Sequence, residues 1–226
     1  MKFMFREMRS EEKKILFSKN RIENLCDGIF AITMTLIILE LKTPENIPHN
    51  LVKEELPSYL LRLIPQAEAY AISFIILAIF WLRHLIHFKF LNNVNRQVLG
   101  INIVFLLFIG FIPFSVGIVM RYYGHLVPTI IYITNLLIIS IILHFHWQYI
   151  YKEDELLNIS EDDREYFSKF KFLSIIPIFI FIIALVIAFF NVRAAFYFIY
   201  LDPLFYFVYK RIHNYKYNHR KIPKQN

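Results

Sequence analysis

Six apolar runs follow one another along the chain, roughly at 22–42, 59–82, 98–120, 126–148, 172–190 and 194–209, and the charges, prolines and turn residues gather between them. A helix of about 20 apolar residues matches the hydrocarbon thickness of a bilayer. The pattern therefore predicts an all-α integral membrane protein with six transmembrane helices, in which residues 1–226 form a single transmembrane domain and no separate soluble domain fits. Residues 1–20 read as an N-terminal segment, 151–171 as a charged linker and 210–226 as a basic tail. The last run is the shortest and is expected to tilt little or to thin the bilayer locally.

Composition agrees: 57% of the residues are hydrophobic and only 19% charged, against about half and a quarter in ordinary soluble domains. The surplus of positive charge then reads as topology, because Lys and Arg beside spans resist translocation. Twenty of the 25 basic residues fall in the N-terminal segment together with Arg21, the second connection (Arg83, Lys89, Arg96), the linker and the tail. Lys42, Lys53, Arg62, Arg121 and Arg193 are left for the other face. Both termini are expected in the cytoplasm, with the chain in the cell membrane and no nucleic-acid partner. The first twenty residues lack the apolar core of a signal peptide, so no cleavage is expected.

Little in the sequence suggests catalysis. The single cysteine, Cys26, excludes an intrachain disulfide and has no CxxC or zinc spacing around it. The acidic cluster from Glu153 to Glu165 lacks the D-x-[DN]-x-[DN]-G pattern of a calcium loop and reads as a solvated linker. Asn158-Ile-Ser160, on the cytoplasmic side, is not expected to be glycosylated. His84 and His87 at i, i+3 are expected to be hydrogen-bonded or interfacial rather than metal-bound, and His144 and His146 at i, i+2 face different sides of a helix. No metal, cofactor or enzyme activity is expected. Glu68 and Asp202 are acids inside spans and hence functional candidates. Asp202 precedes Pro203 and is expected to bond backbone groups freed there; Glu68 has no evident partner.

The first span differs from the other five. It enters with Arg21 and Asp27, contains Gly28, Thr33 and Thr35, and ends in Glu40, whereas the rest are dominated by Ile, Leu and Phe. At about 100° per residue, Gly28, Ile32, Thr35, Leu36 and Leu39 fall within a stripe about 100° wide, while Asp27 points about 140° from Ile32. The acid is thus expected to pair inside the protein. On spacing alone the stripe reads first as a helix-packing face and second as a pore lining.

The segment from Arg21 through Asp27-Gly28 to Leu39-Glu40 resembles the first-helix signature of the prokaryotic relatives of the endolysosomal transmembrane-175 potassium channel, Arg-x-x-x-Phe-Ser-Asp-Gly and an aliphatic run closing in Leu-Glu. Leu25 and Cys26 stand where that family has Phe and Ser. Trp81-Leu-Arg-His84, Asn102 and Phe111-Ile-Pro-Phe114 resemble the family's second and third helices.

The resemblance implies a homotetramer of six-helix subunits around a central pore lined by the first helix, permeable to potassium and other monovalent cations, without a Thr-Val-Gly-Tyr-Gly filter. It places the hydrophobic gate at Ile32, Leu36 and Leu39 and the selectivity hydroxyl at Thr35. These are residues of the stripe, so the resemblance reverses the order of the two readings. Glu40 is then a candidate for the pore mouth, and Arg21, Asp27, Trp81, His84 and Asn102 for a network that holds the first helix. The alternatives are a proton-coupled secondary transporter using Asp27, Glu68, Asp202 and the histidines, and a non-conducting membrane scaffold.

Overall fold

The computed structural model describes residues 17–42, 52–153, 156–157 and 161–220, with the side chains of 52, 161–172 and 212–220 left aside. Nine helices follow in chain order among the described residues: α1 (Lys19–Ile38), α2 (Val52–Arg62), α3 (Ile64–Lys89), α4 (Arg96–Gly110), α5 (Ile112–Arg121), α6 (Leu126–Lys152), α7 (Glu161–Ala188), α8 (Val192–Phe198) and α9 (Leu201–Arg220). Two isolated antiparallel bridges, Phe17 with Val94 and Leu91 with Leu157, are the only extended pairings among these residues.

Prolines mark where helices restart. Pro65, Pro113, Pro128 and Pro203 each stand in the first turn of a helix, where the missing N–H is an orphan in any case and the fixed φ suits the helix. The third expected span is accordingly broken at Phe111 into α4 and α5, because Pro113 cannot bond back to the carbonyl of Ile109. The last expected span is split at Ile199 and Tyr200 into the short α8 and the longer α9. Asn95 and Asn191 cap α4 and α8, accepting from the backbone N–H of Val98 and Ala194 at 3.0 Å each. The turn from α5 to α6 closes on Gly124, whose φ of 82° suits a residue without a Cβ.

Three of the segments are long and apolar enough to cross a membrane: Ile64–Lys89, Arg96–Arg121 counted across its kink, and Leu126–Lys152. Leu173–Ala188 is a shorter apolar helix. Only 50% of each long span's apolar window is buried, so the other half faces outward as apolar surface. That is how a helix behaves with lipid on one side and protein on the other. Exposed Ile103, Val104 and Leu107 on α4, Phe179, Ile182, Ile183 and Val186 on α7, and Leu204, Phe207 and Val208 on α9 supply that surface.

Inside, α6 packs against α4, α5 and α7, and α1 lies across α3, α4 and α5. The core is closed by large side chains from all of these, among them Phe30, Phe80, Phe88, Phe105, Tyr132, Trp147 and Phe181, each below 2% exposed. Helix α3 continues seven residues beyond the expected end of its span, so Arg83, His84 and His87 belong to the bundle interior rather than to a connection. Arg83 therefore drops out of the count of charges that set topology. Lys2 to Lys14, Asn158 to Ser160, Lys221 and Lys224, which also entered the sequence reading, lie outside the described residues.

Candidate functional site

Helix α1 has two contrasting sides. Ile22, Cys26, Phe30, Thr33 and Ile37 recur every three or four residues and are buried against α3, α4 and α5. Gly28, Ala31, Ile32, Thr35, Leu36 and Leu39 are exposed, with Ile32 at 60%, Leu36 at 43% and Leu39 at 65%. The subunit's own packing leaves this stripe bare. It also differs from the lipid-type surface of α7, which is built of bulky Phe, Ile and Val; the α1 stripe is interrupted by Gly28 and Thr35. The Thr35 hydroxyl donates to the carbonyls of Ala31 and Ile32, at 3.1 and 2.8 Å. Its proton is thus occupied by its own helix, and its oxygen offers lone pairs outward.

The buried side is pinned by polar contacts. Asn102 Oδ1, an acceptor only, takes the Nε2–H of His84 at 2.9 Å, which fixes that tautomer, and Asn102 Nδ2 donates to Cys26 Sγ at 3.2 Å. Cys26 Sγ also lies 3.7 Å from His84 Nε2. A thiol thus occupies the corner of the network where the family motif has a hydroxyl, with the longer contacts that sulfur makes. The His84 ring stacks on Phe105, 3° from parallel with centroids 5.3 Å apart, and Phe105 in turn meets Phe30.

Asp27 accepts from the Trp81 indole N–H at 2.8 Å, which ties α1 to α3 a second time. Arg21 is exposed and, among the described residues, forms no ion pair. Six residues apart on one helix, Arg21 and Asp27 point about 120° away from each other and cannot meet within α1. Glu40, half-buried in the turn after α1, lays its carboxylate against Gly117 of α5; a Cβ at position 117 would overlap it.

The other intramembrane acids are paired elsewhere. Asp202, fully buried, accepts a two-pronged bond from Arg83 at 2.7 and 3.3 Å, so it neutralises a cation on α3 instead of capping freed backbone groups. The guanidinium lies over the rings of Phe80 and Tyr206, at 5.9 and 5.5 Å. Glu68 accepts from the Tyr200 hydroxyl at 3.0 Å, at the break between α8 and α9. Two histidine contacts complete the interior. His87 and His146 face each other at 3.0 Å between their Nδ1 atoms, and His144 turns the other way to Ser174 at 2.9 Å. Among the described residues no cluster of three or more potential metal ligands forms.

Sequence reasoning missed the Arg83–Asp202 pair, the His87–His146 contact and Gly117. For the first a signal existed: a fully apolar setting around Asp202 demands a cation, and Arg83 is flanked on both sides by helical apolar sequence.

These features define a class: an all-helical membrane protein whose first helix is held by a buried polar network on one side and leaves a small-and-aliphatic stripe bare on the other. Residues 21–113 match the family of the endosomal/lysosomal potassium channel TMEM175. A potassium channel from Chamaesiphon minutus is 31% identical over 149 residues, which is 64% of this chain and 72% of that protein. An endosomal/lysosomal proton channel TMEM175 from Gallus gallus is 32% identical over 107 residues, 43% of this chain and 20% of that longer protein. In fold, the chain resembles the crystal structure of a lysosomal potassium-selective channel TMEM175 homologue from Chamaesiphon minutus, with a TM-score of 0.73 over 84% of this chain and 96% of that one at 24% identity. The chain belongs to the TMEM175 family.

Proposed function

We propose that four copies of the chain assemble around α1 into a potassium-permeable cation channel of the cell membrane, six helices to a subunit and both termini cytoplasmic. The observation that carries this reading is the bare stripe of Ile32, Thr35, Leu36 and Leu39 on a helix whose other side buries Ile22, Cys26, Phe30, Thr33 and Ile37. The naming of the bacterial relative as a potassium channel supports the same reading.

The chemistry follows from the side chains. Four Ile32 side chains converging on an axis make a ring too narrow and too apolar for a hydrated ion, so water leaves and conduction stops. Leu36 and Leu39 add apolar layers above it. Opening requires α1 to move outward, with the Asp27–Trp81 and Cys26–Asn102–His84 contacts as the anchors about which it moves. Selectivity arises from partial dehydration, less costly for potassium than for sodium, helped by the outward lone pairs of four Thr35 hydroxyls. Glu40 adds negative charge beside the stripe at its far end.

A proton-coupled transporter using Asp27, Glu68, Asp202 and the histidines is weakened in one respect: each acid already has a partner, Asp27 in Trp81, Glu68 in Tyr200 and Asp202 in Arg83. Proton permeation is the second reading, supported by the naming of the vertebrate relative. The test is passive flux from liposomes holding purified protein, with potassium and proton efflux read in parallel, together with the mass in detergent. Potassium efflux from a four-subunit particle is expected. Proton efflux alone transfers the reading to the second, and neither flux, or a particle of another size, contradicts both.

A further inference from the structure

Helix α1 ends at Ile38, and the chain closes a turn in which the N–H of Leu39 and Glu40 bond to the carbonyls of Leu36 and Ile37. Glu40 therefore stands at the negative end of the helix dipole, a poor place for a carboxylate. Among the described residues no cation pairs with its carboxylate and no hydrogen bond holds that group. The carboxylate is nevertheless placed. It lies in a notch on α5 that exists because residue 117 is glycine: a Cβ there would overlap the Glu40 carboxylate and crowd its Cγ at 3.0 Å. Gly117 needs no unusual backbone, since it lies inside a regular helix and has no positive φ. Its neighbours Ser115, Val116, Val119 and Met120 are buried, so the notch lies on the packed side of α5. A glycine in a helix interior costs about 1 kcal/mol relative to alanine, and at Gly117 it leaves space for this carboxylate.

We propose that Gly117 is a positioning residue for ion entry: it seats the Glu40 carboxylate at the edge of the α1 stripe, so that four such carboxylates form a fixed ring of negative charge that concentrates cations next to Leu39. The proposal rests on the channel reading above. The role requires a carboxylate not neutralised in an ion pair; Lys42, two residues on, and Arg121, one turn from Gly117 on α5, are present in every variant, so the comparison isolates the contribution of Glu40. Gly117 itself touches no ion and acts through Glu40.

The distinguishing readout is salt dependence. Fixed charge acts over about 30 Å at 0.01 M salt but only about 3 Å at 1 M, so a ring of carboxylates raises entry at low potassium and not at high potassium. Potassium flux is measured in liposomes at both concentrations for wild type, Glu40→Gln, Gly117→Ala and the double variant Gly117→Ala with Glu40→Asp. Wild-type flux at low potassium is expected to exceed that of Glu40→Gln by about tenfold and that of Gly117→Ala, which displaces the charge without removing it, by about twofold to threefold, with all three within about twofold at high potassium, where the charge is screened. The shorter aspartate withdraws its carboxylate from the added methyl, and the double variant is expected to regain the wild-type salt dependence. If Gly117→Ala does not fold, the double variant, which restores the space, still decides. Gly117→Ala with wild-type salt dependence, a loss equal at both concentrations, or a double variant that stays impaired overturns the proposal while leaving the channel intact. Absence of flux in the wild type contradicts the channel reading instead.

Discussion

Phe30 and Ile32 stand two residues apart on α1; one is 1% exposed and the other 60%. Phe30 meets Phe105 at 5.9 Å and His84 at 6.4 Å, in the same pocket where Cys26 receives the Asn102 amide. Ile32, Leu36 and Leu39 meet nothing of comparable extent within the subunit. Both faces are apolar, so hydrophobicity does not separate them. Partners do. The packed face has aromatic neighbours and a closed set of hydrogen bonds, and the bare face has small residues and one hydroxyl whose proton is turned back into its own helix.

The difference is broken most severely from the packed side. Phe30→Ala empties a closed aromatic pocket and is expected to destabilise the subunit by about 3–5 kcal/mol, read as a lowered midpoint of thermal unfolding in detergent. A change of less than about 1 kcal/mol would place Phe30 outside the core. Asn102→Ala is expected to cost about 1–3 kcal/mol, because the His84 Nε2–H loses its acceptor in a buried site. On the bare face the expected changes in stability are small. Thr35→Val should shift stability by no more than about 0.5 kcal/mol while lowering the preference for potassium over sodium in reversal-potential measurements. Equal losses of stability from Thr35→Val and Asn102→Ala would erase the distinction between the two faces.

Much of this was legible in sequence, for a physical reason: helical spacing is local. The period that put Gly28, Ile32, Thr35, Leu36 and Leu39 on one stripe, and turned Asp27 away from it, needs only neighbours along one turn. The stripe residues are exposed as that projection grouped them, but Asp27, which it turned inward, is exposed too and meets Trp81 at the surface of the subunit. Prolines 113 and 203 were equally local signals, and they mark breaks that the hydropathy of the third and last runs smoothed over. Contacts between helices were not legible in the same way. Arg83 and Asp202 are 119 residues apart in sequence, and nothing beside either one names the other. Gly117 is one small residue in an apolar run, and its closeness to Glu40 is visible only when the closing turn of α1 is laid against it.

The central claim is that the bare stripe of α1 faces an ion path and that Ile32 shuts it. The direct measurement is potassium flux through Ile32→Asn in liposomes beside the wild type, at matched protein content and with thermal unfolding of both recorded. If α1 lines a four-subunit pore as proposed, amides in place of the isoleucines rewet the ring without disturbing the packed face, so flux is expected to rise severalfold at nearly unchanged stability. Unchanged flux in a folded Ile32→Asn protein, or a collapse of stability comparable to that of Phe30→Ala, would show that Ile32 is a packing residue and not a gate.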